Sequence, residues 1–115
     1  MDRIDALQLE LTQFAEQRDW DQFHNPKNLA MALIAEAGEL VEHFQWLTPE
    51  QAANLSAETK AEVALEIADV FLFLLRLCDK LKIDPIAAAQ TKLELNAMKY
   101  PIEKSKGIAT KYNEL

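Results

Sequence analysis

Glu36 and Glu39 stand three positions apart, and so do Glu66 and Asp69. Residues three apart on a helix share a face, so each pair aims two carboxylates the same way if its segment is helical. Between Leu29 and Val41 the two glutamates are the only ionisable residues, and between Val63 and Leu75 the only ones are Glu66 and Asp69. Ionised carboxylates in apolar surroundings are costly. Four of them together also repel one another, which raises their pKa values. A hard divalent cation answers both difficulties, because it takes oxygen ligands and supplies opposite charge. The alternative for such acids is pairing with Lys or Arg, or simple solvation.

The spacing also bears on which cation would fit. Three positions after Glu39 comes Glu42, and three after Glu66 comes Asp69, so there is no E-x-x-H of the di-iron carboxylate kind. No Cys/His cluster suits zinc. All-oxygen ligation suits Mg²⁺, with Mn²⁺ as the other candidate, and Mg²⁺ characteristically binds through substrate phosphates. The chain has no Gly-rich phosphate loop and no Ser-His-Asp or Cys-His pattern. Water activated by the metal is therefore the expected nucleophile.

Both acidic stripes extend into larger groups. Glu36, Glu39, His43 and Trp46 follow one another at helical spacing, as do Glu62, Glu66, Asp69, Phe73 and Arg76. His43, one turn from Glu39, is expected to be hydrogen-bonded or exposed rather than a ligand. Glu62 could be an extra ligand or a support for one. Lys92, Asn96 and Lys99, followed by Tyr100, make a cationic, hydrogen-bonding stripe that is either a solvated face or a clamp for phosphates.

Helices must position these groups. Leucine, alanine, glutamate and lysine dominate, with only 2 glycines and 4 prolines, which favours helix over sheet. Apolar residues at helical spacing mark a first helix over 2–19. Asn25-Pro26 is a cap followed by proline at the first helical position, opening a helix expected to reach Leu47. Thr48-Pro49 repeats the device before a short helix over 50–53. Ser56 caps a long helix, 57–81, and Asp84-Pro85 starts another that ends near Lys99, because Pro101 disfavours helix at Tyr100. The helices around the acid pairs are apolar nearly all round and are expected to be buried. These elements predict an all-α, four-helix-bundle-like fold with a short extra helix and an irregular, basic tail over 101–115 that is flexible. A single domain, 1–115, is expected.

The formal net charge of −7 and the lack of a basic stripe argue against a nucleic acid polymer as partner. Uninterrupted apolar runs such as Val70 to Leu75 are far too short to span a bilayer, so no membrane role is expected. The opening residues do not read as a signal peptide. The lone Cys78 sits in an apolar run and is expected to be a buried, inert thiol, which suits a reducing, cytoplasmic setting. Half the residues are apolar, a generous share for so small a chain, and some of that surplus is expected between subunits.

Four stretches carry a family likeness: R-D-W-D-Q-F-H (18–24), I-A-E-A-G-E-L-V-E-H-F-Q-W (34–46), E-I-A-D-V-F (66–71) and K-L-E-L-N-A-M-K-Y-P (92–101). Together they resemble the MazG-like all-α nucleotide pyrophosphohydrolases, and the dCTP pyrophosphatase branch above the others. The likeness extends to the G-I-A-T-K-Y of the tail. It implies a MazG-type fold that hydrolyses nucleoside triphosphates, dCTP or a modified dCTP first, to the monophosphate and pyrophosphate. It implies Glu36, Glu39, Glu66 and Asp69 as magnesium ligands and catalytic residues. Trp20, His24 and Trp46 match base-pocket positions. Asn96, Lys99 and Tyr100 match the sugar and phosphate side, which Lys111 joins. It further implies a homodimer or homotetramer. Two rival readings are a non-catalytic helical metal-binding or interaction module and an iron-binding redox bundle.

Overall fold

The computed structural model describes all residues, 1–115, and contains helices and turns but no strand. In chain order the helices are α1 (Arg3–Gln17), α2 (Pro26–Glu42), α3 (Pro49–Ala53), α4 (Ala57–Leu81), α5 (Pro85–Lys99) and α6 (Ile102–Ser105), with 3-10 turns at Asp21–Phe23 and Tyr112–Glu114. The all-α architecture expected from sequence is the one observed. No helix is long and apolar enough to cross a membrane.

Capping explains where the helices begin. The side chains of Asp2, Asn25, Thr48, Ser56 and Asp84 each accept from a backbone N–H of the first turn they open. Thr48 and Gln51 form a reciprocal capping box. The helix ends are less regular. α2 stops at Glu42 rather than Leu47, because the N–H groups of His43 and Phe44 bond to Leu40 O and Val41 O, three residues back, and tighten the chain out of the α-helix. α4 is capped after Leu81 by Lys82, a non-glycine residue held in the left-handed region at φ 58°.

The chain forms two compact units, residues 1–82 and 83–115. In the first, α4 lies along α2 and also packs on α1. Its core is Ala15 from α1, Leu29 from α2, and Val63, Leu75 and Cys78 from α4. Two polar ties bind α1 to α4: Gln8 Nε2 donates to the Leu75 carbonyl at 3.3 Å, and the Thr12 hydroxyl donates to Asp79 Oδ2 at 3.2 Å. The Cys78 thiol is buried, which raises its pKa.

One expectation changes here. The helices bearing the acid pairs are not covered all round: Met31, Ile34 and Val41 on α2, and Leu65 and Ile67 on α4, remain largely exposed. Each of these helices buries only the face it turns to its neighbours, and the rest of its apolar surface has no cover within the unit.

In the second unit the tail is irregular but carries α6 and a closing 3-10 turn, with Gly107 between them at a φ of 81° that favours glycine. The Ser105 hydroxyl donates to Pro101 O at 2.7 Å. Tyr100 and Tyr112 meet edge to face at 6.1 Å, and Lys99 Nζ lies 4.8 Å over the Tyr112 ring.

Candidate active site

The contact between α2 and α4 brings the acid pairs together. Glu36, Glu39 and Glu66 each offer an oxygen, and these oxygens all lie within 4.8 Å of one another. Glu36 Oε2 and Glu66 Oε2 are buried without a hydrogen-bond partner. The one ion-pair contact to these three glutamates within 4 Å is conditional: His43 Nε2 stands 3.9 Å from Glu66 Oε1 and is charged only when protonated. Buried polar atoms are ordinarily paired, and unpaired ones ask for an explanation such as an ion.

The crowding shows in the acidity of the cluster. The Glu36 carboxyl is pushed up to about 7, first by its side-chain hydrogen bond with Glu39, then by burial and by the charges of Glu39, Asp69 and Glu66. Glu66 is also raised, by burial first and then by Glu39 and Asp69, with His43 opposing. Asp69 thus acts on the cluster through its charge, although its oxygens lie outside the three-acid group. Glu62 is exposed and also lies outside it. An all-carboxylate set with orphaned buried oxygens fits a hard divalent cation.

A second feature adjoins this one through Asp69. Asp69 shares the wall of a cavity of about 250 Å³ with Leu11, Phe14, Ala15, Trp20, His24, Leu72, Phe73 and Arg76. Local chain geometry places the aromatic wall. Asp19 adopts a left-handed φ of 55°, and the Trp20 N–H reaches back to Ala15 O at 2.9 Å. Trp20 then meets Phe14 edge to face at 5.7 Å and His24 at 6.4 Å. On the same wall, Arg76 is only 3% exposed, and its guanidinium bonds Asp21, His24 and Thr12. Lys80 also bonds Asp21, and this bond chiefly keeps the Asp21 carboxyl below its ordinary value. Burial, followed by the charges of Arg76 and Lys80, lowers the His24 pKa, and Asp21 opposes them.

Of the aromatic residues expected at a base pocket, Trp20 and His24 share this cavity, whereas Trp46 stands 86% exposed beyond the end of α2. Asn96, Lys99, Tyr100 and Lys111 belong to the second unit, where Lys99 and Tyr100 gather at Tyr112. Sequence reasoning did not name Phe73, Arg76 or Asp21 as site residues. Phe73 and Arg76 continue the stripe of Glu66 and Asp69 at helical spacing, but nothing in the local sequence near Asp21 signals a partner on α4.

Residues 32–115 match the family model described as MazG-like. The chain belongs to the MazG-like family. Among relatives of this MazG-like chain, dCTP pyrophosphatase 1 of Rattus norvegicus is 39% identical over 105 residues, covering 90% of this chain and 62% of that protein. The protein of the same name from Homo sapiens is 37% identical over the same length, with the same coverage. The chain therefore spans about three fifths of the length of these relatives. A crystal structure of a pyrophosphatase from Archaeoglobus fulgidus superposes with a TM-score of 0.83 at 40% identity, covering 88% of this chain and 94% of that one.

Proposed function

We propose that this MazG-like chain hydrolyses nucleoside triphosphates to the monophosphate and pyrophosphate, with dCTP or a modified dCTP as preferred substrate. The observation that carries the reading is the cluster of Glu36, Glu39 and Glu66 with two buried, partnerless oxygens. Similarity to proteins named dCTP pyrophosphatase 1 and to a solved pyrophosphatase supports the reaction class and the choice of cytosine.

In this reading Glu36, Glu39, Glu66 and Asp69 hold Mg²⁺, with Mn²⁺ as a substitute. The ion, when bound, supplies positive charge against the triphosphate and makes water a better nucleophile at neutral pH. The chain's own contribution is placement and charge. The carboxylates sit on two packed helices and need little rearrangement to converge. Asp69, standing both near the acid cluster and on the cavity wall, orients attack towards a phosphate whose base lies in the cavity. Trp20 and His24 line that base pocket, and Trp46 contributes a further aromatic face. Asn96, Lys99, Tyr100 and Lys111 take the sugar and phosphate side, a role that rests on the family resemblance. Catalysis of this kind is mostly positioning and electrostatic stabilisation.

Self-association into a dimer or tetramer belongs to the same proposal and is supported by the uncovered apolar faces of α2 and α4. A cytoplasmic setting is supported by the single unpaired cysteine. The test is pyrophosphate release from a panel of dNTPs and NTPs, including modified cytosines, with Mg²⁺. Release is expected to vanish in Glu39→Gln and Asp69→Asn while the helical signal persists. Full turnover in either variant would contradict the assignment.

A further inference from the structure

Arg76 is 3% exposed yet permanently charged. A guanidinium that deep is tolerated only when its donors are matched. Nη2 donates to Asp21 Oδ1 at 2.6 Å, and Nη1 donates to Thr12 Oγ1 at 3.3 Å and lies 3.6 Å from Asp79 Oδ2. The third nitrogen, Nε, donates to His24 Nδ1 at 3.2 Å. This last bond can run in one direction only. Arginine does not give up its proton in a protein, so His24 Nδ1 must be the bare, accepting nitrogen. A doubly protonated ring cannot accept, and a neutral ring with Nδ1 bare carries its proton on Nε2.

We propose that Arg76 is a positioning residue that fixes His24 as the neutral Nε2–H tautomer, so that His24 offers a ligand in the adjoining cavity one donor and no acceptor. The group recognised by His24 is then an acceptor on the base, either a carbonyl oxygen or an unprotonated ring nitrogen. A pyrimidine such as cytosine presents both, at O2 and N3, whereas an amino group or a ring N–H is refused. The charged groups facing His24 agree with this state: Arg76 and Lys80 favour the neutral ring, and Asp21, which opposes them, is bound by both cations. Two neighbours complete the cavity's discrimination. Trp20 stands edge to face with His24, and Phe73 lines the same wall. The ligand half of this inference rests on the reading of the cavity as the base pocket. The tautomer half does not.

The two halves are tested separately. In the full-length ¹⁵N-labelled protein without nucleotide, long-range ¹H–¹⁵N correlation at pH 7.5 reads the His24 tautomer, assigned by its loss in His24→Gln. The Nε2–H pattern is expected, and an Nδ1–H pattern overturns the proposal without needing any variant. Arg76→Met, close in volume, and Arg76→Lys, which keeps the charge but has no Nε, are both expected to lose the single-tautomer signature. Both are also expected to raise KM for dCTP by about tenfold, as loss of one base hydrogen bond would, with kcat changed by no more than about twofold. Unchanged KM in Arg76→Met and His24→Gln alike, in enzyme that still hydrolyses dCTP, overturns the ligand-reading role and leaves the proposed reaction standing. Wild-type protein that turns over no triphosphate removes the proposed reaction, while the correlation spectrum still decides the role of Arg76.

Discussion

Glu36 shows how one carboxyl can report on a whole site. Its ordinary value is near 4.5, and the folded chain pushes it up to about 7. The folded protein therefore keeps a proton that the unfolded chain has already released. Stabilisation from this group is full below about pH 4.5 and is lost as pH rises through about 7. A cation reverses that loss, because ligation requires the bare carboxylate. On the proposed magnesium reading, Mg²⁺ is expected to raise Tm little at pH 5.5 and clearly at pH 8. Glu36→Gln is expected to flatten that difference. Thermal melts with and without Mg²⁺ at the two pH values measure it, and equal shifts would count against ligation at Glu36. The pairing of these acids was readable from the sequence because a three-residue spacing fixes a helix face whatever the tertiary structure. The splitting of roles was not. Which acid sits inside the three-oxygen cluster, and which on the cavity wall, depends on how α2 and α4 meet, and no local pattern encodes that.

At the scale of the element, the starts of helices were legible and their ends less so. Asn25-Pro26, Thr48-Pro49, Ser56 and Asp84-Pro85 all cap where the residue types place them, because a cap is a contact between residues two or three apart. The end of α2 carries no glycine or proline until Thr48-Pro49, so the halt at Glu42 had no signal. The Arg76–Asp21 bond, fifty-five positions apart, was equally beyond reach. α5 gives the sharpest test of local coding. It buries no residue, and a helix of this length is marginal without packing, so its first turn relies on Asp84. The Asp84 side chain accepts from Ile86 N at 2.9 Å and from Ala87 N at 3.1 Å. Asp84→Ala is expected to cost about 1 kcal/mol locally. Hydrogen exchange at Ile86 to Ala89 should then quicken by about fivefold, with less change in the first unit. Unchanged protection there would show that α5 is held by something other than its cap.

For the whole molecule the question is what covers the apolar surface that one chain leaves open. On α2, Met31, Ile34 and Val41 follow helical spacing along a single stripe, and Gly38 falls on the same stripe. A methyl group added at Gly38 would meet nothing within 4 Å. Glycine inside a helix costs about 1 kcal/mol relative to alanine, and within the isolated chain no contact offsets that cost. Close approach of a second helix would supply the reason, since small residues let backbones pack near one another. Ile67, Phe71 and Leu74 offer α4 a comparable exposed ridge. If a second copy covers the α2 stripe, Gly38→Ala and Gly38→Leu should part company. Alanine should raise the helicity of α2 and leave assembly intact or mildly weakened, whereas leucine should block close approach and shift the protein to monomer. Ile34→Asp should do the same by placing a charge on the stripe. Sedimentation velocity over a range of concentrations distinguishes these outcomes, with circular dichroism to show that the helices persist. A wild-type protein that stays monomeric at high concentration would leave Gly38 without this explanation. A leucine variant that assembles as well as wild type would move the interface to another face.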